Sequence, residues 1–143
     1  MAVSRSDILA FLRAQKYAVE ASTSAAGGPQ AAVVGIVVTD RLEIFFDTLA
    51  SSRKHANLSR DPRVAFVVWE GERTVQYEGV ADFPHGAALD ALKAIYFARF
   101  PEGRDREAWP GITYVRVWPT WVRYGDFGGA APLVVELGAD ELR

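Results

Sequence analysis

Cysteine is absent from this chain of 143 residues, and the only histidines are His55 and His85. Disulfides and thiol nucleophiles are therefore excluded. No metal site is predicted, because a protein-built site would have to rely on carboxylates. The formal net charge of −2 argues against a nucleic-acid partner, which needs a basic face, but it leaves room for a local anion site.

Long apolar runs are also missing: none reaches the roughly 20 residues that a membrane span needs. The first residues lack a signal-peptide pattern, so we expect a soluble, cytoplasmic protein without a membrane partner. A hydrophobic fraction of 50% is ample for the core of one domain over residues 1–143. The motifs GxxxxGK[ST], GxGxxG, GxSxG and HExxH do not occur, and no catalytic residue is assigned.

Hydrophobic periodicity predicts a mainly β protein with a few short helices. Strands are expected at residues 17–23, 31–39, 42–47, 64–69, 74–83, 112–118, 121–124 and 133–137. The second and third should form a hairpin, and Pro119 should separate the sixth from the seventh. Helices are expected up to Ala14 and at 52–60 and 84–100, with a loop at 101–110. Gly79 indicates a bulge or a close backbone approach within its strand.

The strongest signal for a ligand site begins at Thr48, where a strand ends and a polar loop leads into a helix. Free N–H groups at a helix N-terminus attract anions, and the hydroxyls of Thr48, Ser51 or Ser52 can add hydrogen bonds. Arg53 can bind a phosphate through two parallel hydrogen bonds, and Lys54 adds a positive charge. The pattern predicts a phosphate-monoester site; its alternative is a solvated helix start with ordinary surface cations.

Two further signals lie on other strands. Tryptophan is abundant for this length, at positions 69, 109, 118 and 121. Such side chains either pack in a core or dimer interface, or form the walls of a site for a planar ring. Thr74 and Gln76 share one face of a predicted strand, where they face either water or the ring nitrogens and carbonyls of a heterocycle.

Together these motifs resemble the pyridoxamine-phosphate oxidase-like, FMN-binding split-barrel family over roughly residues 17–126. The sharpest matches are Phe45-Phe46-Asp47-Thr48, Ser52-Arg53-Lys54, Asn57-Leu58, Asp61-Pro62-Arg63-Val64-Ala65-Phe66, Glu72-Arg73-Thr74-Val75 and Gly79-Val80-Ala81. The resemblance implies a mainly β (α+β) fold, a six-stranded antiparallel split β-barrel with Greek-key connections. It also implies a homodimer with two flavin sites at the interface.

The resemblance assigns the FMN phosphate to Ser52, Arg53 and Lys54, and it gives Thr48 a further contact with the cofactor. The backbone of one strand would lie beside the flavin ring, at residues Ala32, Val33 and Val34.

The partner subunit commonly adds an aromatic residue, for which Trp118 is the first candidate and Trp121 the second. The position of a flavin-facing glutamine in the family is occupied here by Thr74, with Gln76 two residues on.

The chain departs from true pyridoxamine-phosphate oxidases in two places. Their arginine and lysine on the strand at residues 31–37 are missing, and Ala31, Ala32, Ile36 and Val37 stand there instead. Their basic, histidine-containing C-terminal motif is absent after Trp118. Vitamin B6 oxidation is therefore not the expected activity, and FMN has two cations fewer to hold it.

The leading hypothesis is an FMN-dependent oxidoreductase acting on a small-molecule substrate or electron donor. A deazaflavin coenzyme is an alternative, because related branches hold its phosphate with a lysine like Lys54. Haem is a less favoured ligand for a chain with two histidines. A non-catalytic flavin carrier or sensor is the alternative from another class, and the missing pair of cations favours it.

Overall fold

The computed structural model describes residues 2–142 and confirms a mainly antiparallel β sheet curled into a half-barrel with a few short helices. Its strands in this range are β1 (Tyr17–Thr23), β2 (Pro29–Gly35), β3 (Val37–Val38), β4 (Ile44–Leu49), β5 (Arg63–Glu70), β6 (Arg73–Asp82), β7 (Ile112–Asp126) and β8 (Leu133–Leu137). Its helices are α1 (Arg5–Ala14), α2 (Arg53–Arg60), α3 (Gly86–Arg99) and α4 (Pro101–Arg106), followed by a 3-10 turn (Ala139–Glu141). None of the helices described is long and apolar enough to cross a membrane.

The strands lie in the order β2-β1-β5-β6-β7-β4-β3, and β8 pairs with the second half of β7. Every pair is antiparallel. Within the described chain, the six longer strands form the predicted frame, and β3 and β8 are short additions. Strand β2 therefore lies at one edge of the sheet, with one side of its backbone free for other partners.

The predicted strand at 31–39 divides at Ile36, which belongs to neither β2 nor β3. The backbone N–H of Ile36 donates to the carbonyl of Lys16 at 2.9 Å, and its side chain is buried in the barrel core. The chain bends here and changes partner from β1 to β4. The predicted hairpin therefore exists only between β3 and β4.

A bulge joins the two strands that were predicted on either side of Pro119, and β7 is continuous through this proline. The register with β6 shifts between Glu78 and Gly79, and Thr120 has no partner in the ladder. A proline, which lacks an N–H, is tolerated at a bulge. The bulge that Gly79 indicated is confirmed, while the predicted break at Pro119 was wrong.

The predicted loop at 101–110 was also wrong in its first half, which forms α4. Pro101 occupies the first turn of α4, where its missing N–H removes no helical hydrogen bond. Because the segment is short and charged, its helical structure depends on tertiary contacts more than on periodicity.

Two hydrophobic clusters stabilise the fold. Inside the barrel, Phe66 contacts Phe46 and Tyr77 edge to face, with ring centroids 6.0 and 5.7 Å apart. The Tyr77 hydroxyl lies 2.7 Å from the Leu42 carbonyl, which satisfies it within this core. On the outside, α3 packs against β4 and β7 through a second cluster that contains Phe45, Tyr96 and Tyr114. This outer cluster fixes the position of α4 beside the end of β4.

Candidate functional site

The predicted helix start is present and well formed. The Ser52 hydroxyl caps α2 by accepting a hydrogen bond from the N–H of His55 at 3.2 Å. It also lies 2.9 Å from the hydroxyl of Thr48 at the end of β4. Among the described residues, the backbone N–H groups of Arg53 and Lys54 have no hydrogen-bond partner. Two amides, two hydroxyls and two cations therefore lie together at this point.

Two pockets meet at Lys54. The larger pocket, about 360 Å³, lies between the free edge of β2, the end of β4 and helices α3 and α4. Its lining includes Tyr17, Val33, Val34, Gly35, Thr48, Lys54, Tyr96, Phe100, Arg106 and Trp109. The smaller pocket, about 120 Å³, lies between β1, β2 and α2. Its lining consists of Glu20, Ser22, Gln30, Ala31, Ala32, Arg53, Lys54 and Asn57.

Most residues predicted for the cofactor site come together around these pockets. Val33, Val34 and Thr48 line the larger pocket, Ala32 and Arg53 line the smaller one, and Lys54 lines both. Ser52 supports Thr48 through the hydrogen bond between their hydroxyls. Ser51 is exposed in the loop and lines neither pocket.

The other predicted residues lie elsewhere in the chain. Gln76 pairs with Val67, which pairs with Val19, which in turn pairs with Val33 at the larger pocket. Three strand spacings separate Gln76 from Val33, or about 14 Å. Thr74 shares the outward face of β6 with Gln76. These two side chains therefore do not reach the two pockets of this chain.

Trp118 and Trp121 lie on this same outward surface. Trp118 pairs with Val80, and Trp121 pairs with Glu78, across the bulge. The extra residue of the bulge lets two side chains three positions apart share one face, which strict alternation would forbid. The indole N–H of Trp118 donates to Asp82 at 3.1 Å.

A charged cluster that sequence reasoning missed forms one wall of the larger pocket. Arg106 donates through Nε to Asp47 at 2.9 Å, and the Tyr96 hydroxyl donates to the same carboxylate at 3.1 Å. Burial raises the pKa of Tyr96, and the neighbouring charge of Asp47 raises it further. Asp47 belongs to the segment that carried the family resemblance, but nothing in the sequence pairs it with an arginine 59 positions later.

We expect Asp47→Ala to lower the free energy of unfolding by about 1–3 kcal/mol, because it leaves Arg106 and Tyr96 without their shared acceptor in a largely buried position. The measurement is urea denaturation at pH 7. Asp105→Ala is the matched control, since Asp105 is an exposed carboxylate on the same helix as Arg106. Equal loss in the two variants would show that the cluster does not stabilise α4.

The smaller pocket contains a second polar cluster that was not predicted. The Asn57 side-chain amide donates to Ser22 at 3.1 Å and to Gln30 at 2.9 Å. Glu20 is 1% exposed, and its Oε1 atom has no hydrogen-bond partner among the described residues. Burial raises the pKa of Glu20, while a hydrogen bond with Ser22 and the charge of Lys54 act in the opposite direction. This is an unsatisfied acidic group beside the predicted cationic site.

An antiparallel half-barrel with two pockets at a helix start beside its edge strand defines a split-barrel fold. A family model described as pyridoxamine 5'-phosphate oxidase matches residues 5–125. The chain therefore belongs to the pyridoxamine 5'-phosphate oxidase family, which confirms the resemblance seen in the sequence.

Solved structures show similar folds. A conserved hypothetical protein from Mycobacterium tuberculosis is 26% identical, with a TM-score of 0.75 over 88% of this chain and 86% of that one. A heme-binding protein from Mycobacterium smegmatis is 19% identical, with a TM-score of 0.79 over 94% of this chain, which spans only 58% of that protein. A pyridoxamine 5'-phosphate oxidase-related, FMN-binding protein from Nostoc punctiforme is 14% identical, with a TM-score of 0.74 over 96% of this chain and 91% of that one. No curated protein matched in a sequence search.

Proposed function

We propose that this protein binds FMN, with the phosphate at the start of α2, and uses it as an oxidoreductase. The observation that carries the proposal is the convergence of Arg53 and Lys54 with the Thr48–Ser52 hydroxyl pair at a helix start that opens into both pockets. Charge-assisted hydrogen bonds from such groups are the strong contacts for a phosphate ester. The FMN-binding relative from Nostoc punctiforme has the same fold.

The free edge of β2 is an argument for placing the flavin ring in the larger pocket. Val33, Val34 and Gly35 line this pocket on a strand that has a partner only on its other side. Unpaired backbone groups of an edge strand can hydrogen-bond the ring nitrogens and carbonyls of a heterocycle. The Val33 side chain is 68% exposed and supplies an apolar surface beside them.

The side chains of this site hold and orient the cofactor. Bound FMN supplies hydride transfer, and this chemistry requires no acid or base from the protein. In the proposed site Lys54 and Arg53 fix the phosphate end, while the aromatic residues Tyr17, Phe100 and Trp109 limit access of water to the larger pocket. Vitamin B6 oxidation is not proposed, because Ala31, Ala32, Ile36 and Val37 stand in the segment where true pyridoxamine-phosphate oxidases carry an arginine and a lysine.

We propose a homodimer in which the outward faces of β1, β2, β5 and β6 meet. This surface exposes apolar side chains in neighbouring strands, with Val67 41%, Trp69 51% and Val80 39% exposed. Exposed apolar patches of this kind mark protein interfaces. A second copy would also bring Gln76 and Trp118 to a pocket that they do not reach in their own protomer.

Haem is the second candidate ligand, because the similar protein from Mycobacterium smegmatis is described as heme-binding. The pocket linings favour flavin, since neither includes a histidine. The His55 ring packs 5.0 Å from the ring of Phe83, and His85 is exposed before α3. A deazaflavin coenzyme remains an alternative for the same phosphate site at Lys54.

The test is a set of titrations of the purified protein with FMN, riboflavin, a 5-deazaflavin coenzyme and haemin. We expect a flavin spectrum with FMN and at least about 100-fold weaker binding of riboflavin, which lacks the phosphate. A Soret band with haemin and no response to FMN would overturn the proposal in favour of haem. Reduction of bound FMN by NADH or NADPH, with turnover on an acceptor, separates an oxidoreductase from a carrier or sensor.

A further inference from the structure

A buried carboxylate lies among the groups that should attract the phosphate. Glu20 lines the smaller pocket together with Arg53 and Lys54, and it is 1% exposed. Its Oε1 atom lacks a partner among residues 2–142, although buried polar atoms are nearly always hydrogen-bonded. An unsatisfied acceptor beside a small polar pocket indicates that something in this pocket completes its hydrogen bonding.

The groups around Glu20 limit what that partner is. On its own strand the neighbouring inward residue is Ser22, and the adjacent strand β2 contributes Gln30 and Ala32. Helix α2 contributes the charged groups, Arg53 and Lys54. On the other side, Glu20 is in register with the apolar Phe66 of β5. The titratable groups that line this pocket are therefore one carboxyl and two cations.

The charge on Glu20 determines how much positive charge the pocket offers to a phosphate. An ionised Glu20 attracts Lys54 and offsets one of the two cations. A phosphate dianion at the same cations then lies beside a buried like charge, which is unfavourable in a medium of low polarity. A protonated Glu20 instead presents an O–H that can donate to a phosphate oxygen. A singly charged phosphate group carries less of this repulsion.

We propose that Glu20 is a specificity-determining residue that makes this site prefer a singly charged phosphate group over a doubly charged one. The preferred group is a phosphodiester, or a phosphomonoester that has taken up one proton. The inference rests on the proposed function for the position of the phosphate, but it concerns the charge that the pocket accepts. Two cations alone would favour the more highly charged phosphate, whereas Glu20 reverses this preference.

The test compares FMN with its methyl phosphodiester, riboflavin 5'-methylphosphate, and uses riboflavin as the baseline for the ring. FMN loses its second phosphate proton near pH 6, whereas the methyl ester keeps one charge throughout. In the wild type, we expect the affinity for FMN relative to the ester to fall between pH 5.5 and pH 8. In Glu20→Gln, FMN at pH 8 should bind about 10-fold more tightly than in the wild type, with a much smaller change for the ester.

Glu141→Gln is the matched control, because Glu141 is an exposed carboxylate that lines neither pocket. We expect it to leave the ratio of FMN to ester affinity unchanged. A wild-type ratio that is independent of pH, or an equal effect of the two substitutions, would overturn the role of Glu20.

Failure of all three flavins to bind would overturn the proposed function, and the role of Glu20 would then be decided by simple anions. The measurement is the titration of the Glu20 carboxyl by carbon NMR in the free protein, with inorganic phosphate and with dimethyl phosphate. We expect the pKa of the Glu20 carboxyl to be raised in the free protein, to be raised further by inorganic phosphate, and to be raised less by the singly charged dimethyl ester. No difference between the two anions would overturn the inference whatever the flavins do.

A stability measurement gives an independent check that Glu20→Gln folds and that the carboxyl is buried. Because the pKa of Glu20 is raised in the folded state, its stabilising contribution is complete below its unfolded pKa and is lost as pH rises through the folded value. By urea denaturation, Glu20→Gln should therefore gain stability relative to the wild type as pH rises from about 4 through the folded pKa, and the difference should be constant above it. A difference that is already constant from about pH 4 upward would contradict a raised pKa.

Discussion

The double variant Arg53→Ala/Lys54→Ala is expected to lose at least about 100-fold in FMN affinity while keeping its affinity for riboflavin. Each cation contributes a charge-assisted contact of about 1.5–3 kcal/mol to a phosphate, and about 1.4 kcal/mol corresponds to a tenfold change in affinity. Both side chains lie at the protein surface around the pockets, so their removal should leave the fold intact. The measurement is a fluorescence titration with each ligand at pH 7.

The control for this experiment is Arg13→Ala/Arg41→Ala, which removes the same charge from the groove beside α1 and β3. Among residues 2–142, these two arginines form one ion pair, between Arg13 and Asp40, which is exposed and contributes little to stability. Normal FMN binding by Arg53→Ala/Lys54→Ala would refute the assignment of the phosphate site. An equal loss of FMN affinity in the control variant would instead show that FMN binding depends only on the net charge of the protein.

The phosphate site was predictable because it is local in sequence. A strand end, a hydroxyl loop and a helix start follow one another from Thr48 to Lys54, and the structure keeps them together. The cluster of Asp47 and Arg106 depends on a contact across 59 positions, and no periodicity encodes such a distance. Glu20 was not predicted as part of the site, because an acidic residue in an alternating strand is expected to face water. Its position in β1 instead places it on the buried face.

The fold was predictable where alternation or continuous hydrophobicity determined a strand. The prediction from sequence was wrong where tertiary contacts compete with local structural preferences. The bend at Ile36 depends on a hydrogen bond to Lys16, which no local pattern shows. The break predicted at Pro119 does not occur, because the extra residue Thr120 forms a bulge in β7 itself and the ladder with β6 continues past it.

The bulge itself supports the second large prediction, that Gly79→Ala lowers the free energy of unfolding by about 3 kcal/mol. A Cβ atom at position 79 would overlap the backbone carbonyl oxygen of Trp118 and lie 2.6 Å from Cγ1 of Val117. Backbone atoms in a paired strand cannot move aside cheaply, because residues on both sides of Gly79 are fixed in register with β7. Forcing an extra group into a closely packed site costs about 1–3 kcal/mol and in some cases more.

Gly28→Ala is the matched control for this substitution. Its Cβ would lie 3.3 Å from the Ser24 hydroxyl, which accepts a hydrogen bond from the Gly28 N–H at 3.0 Å. A shift of a few tenths of an ångström relieves this contact without breaking the hydrogen bond, so we expect little change in stability. Urea denaturation should separate the two variants, and thermal unfolding should place Gly79→Ala about 10 °C below the control. A Cβ atom at position 79 would push against the backbone of Trp118, so Gly79→Ala should also change the fluorescence of this tryptophan. A Gly79→Ala protein with the stability and spectrum of Gly28→Ala would show that the bulge adapts to a side chain, and that glycine is not required to hold Trp118 on the outward face.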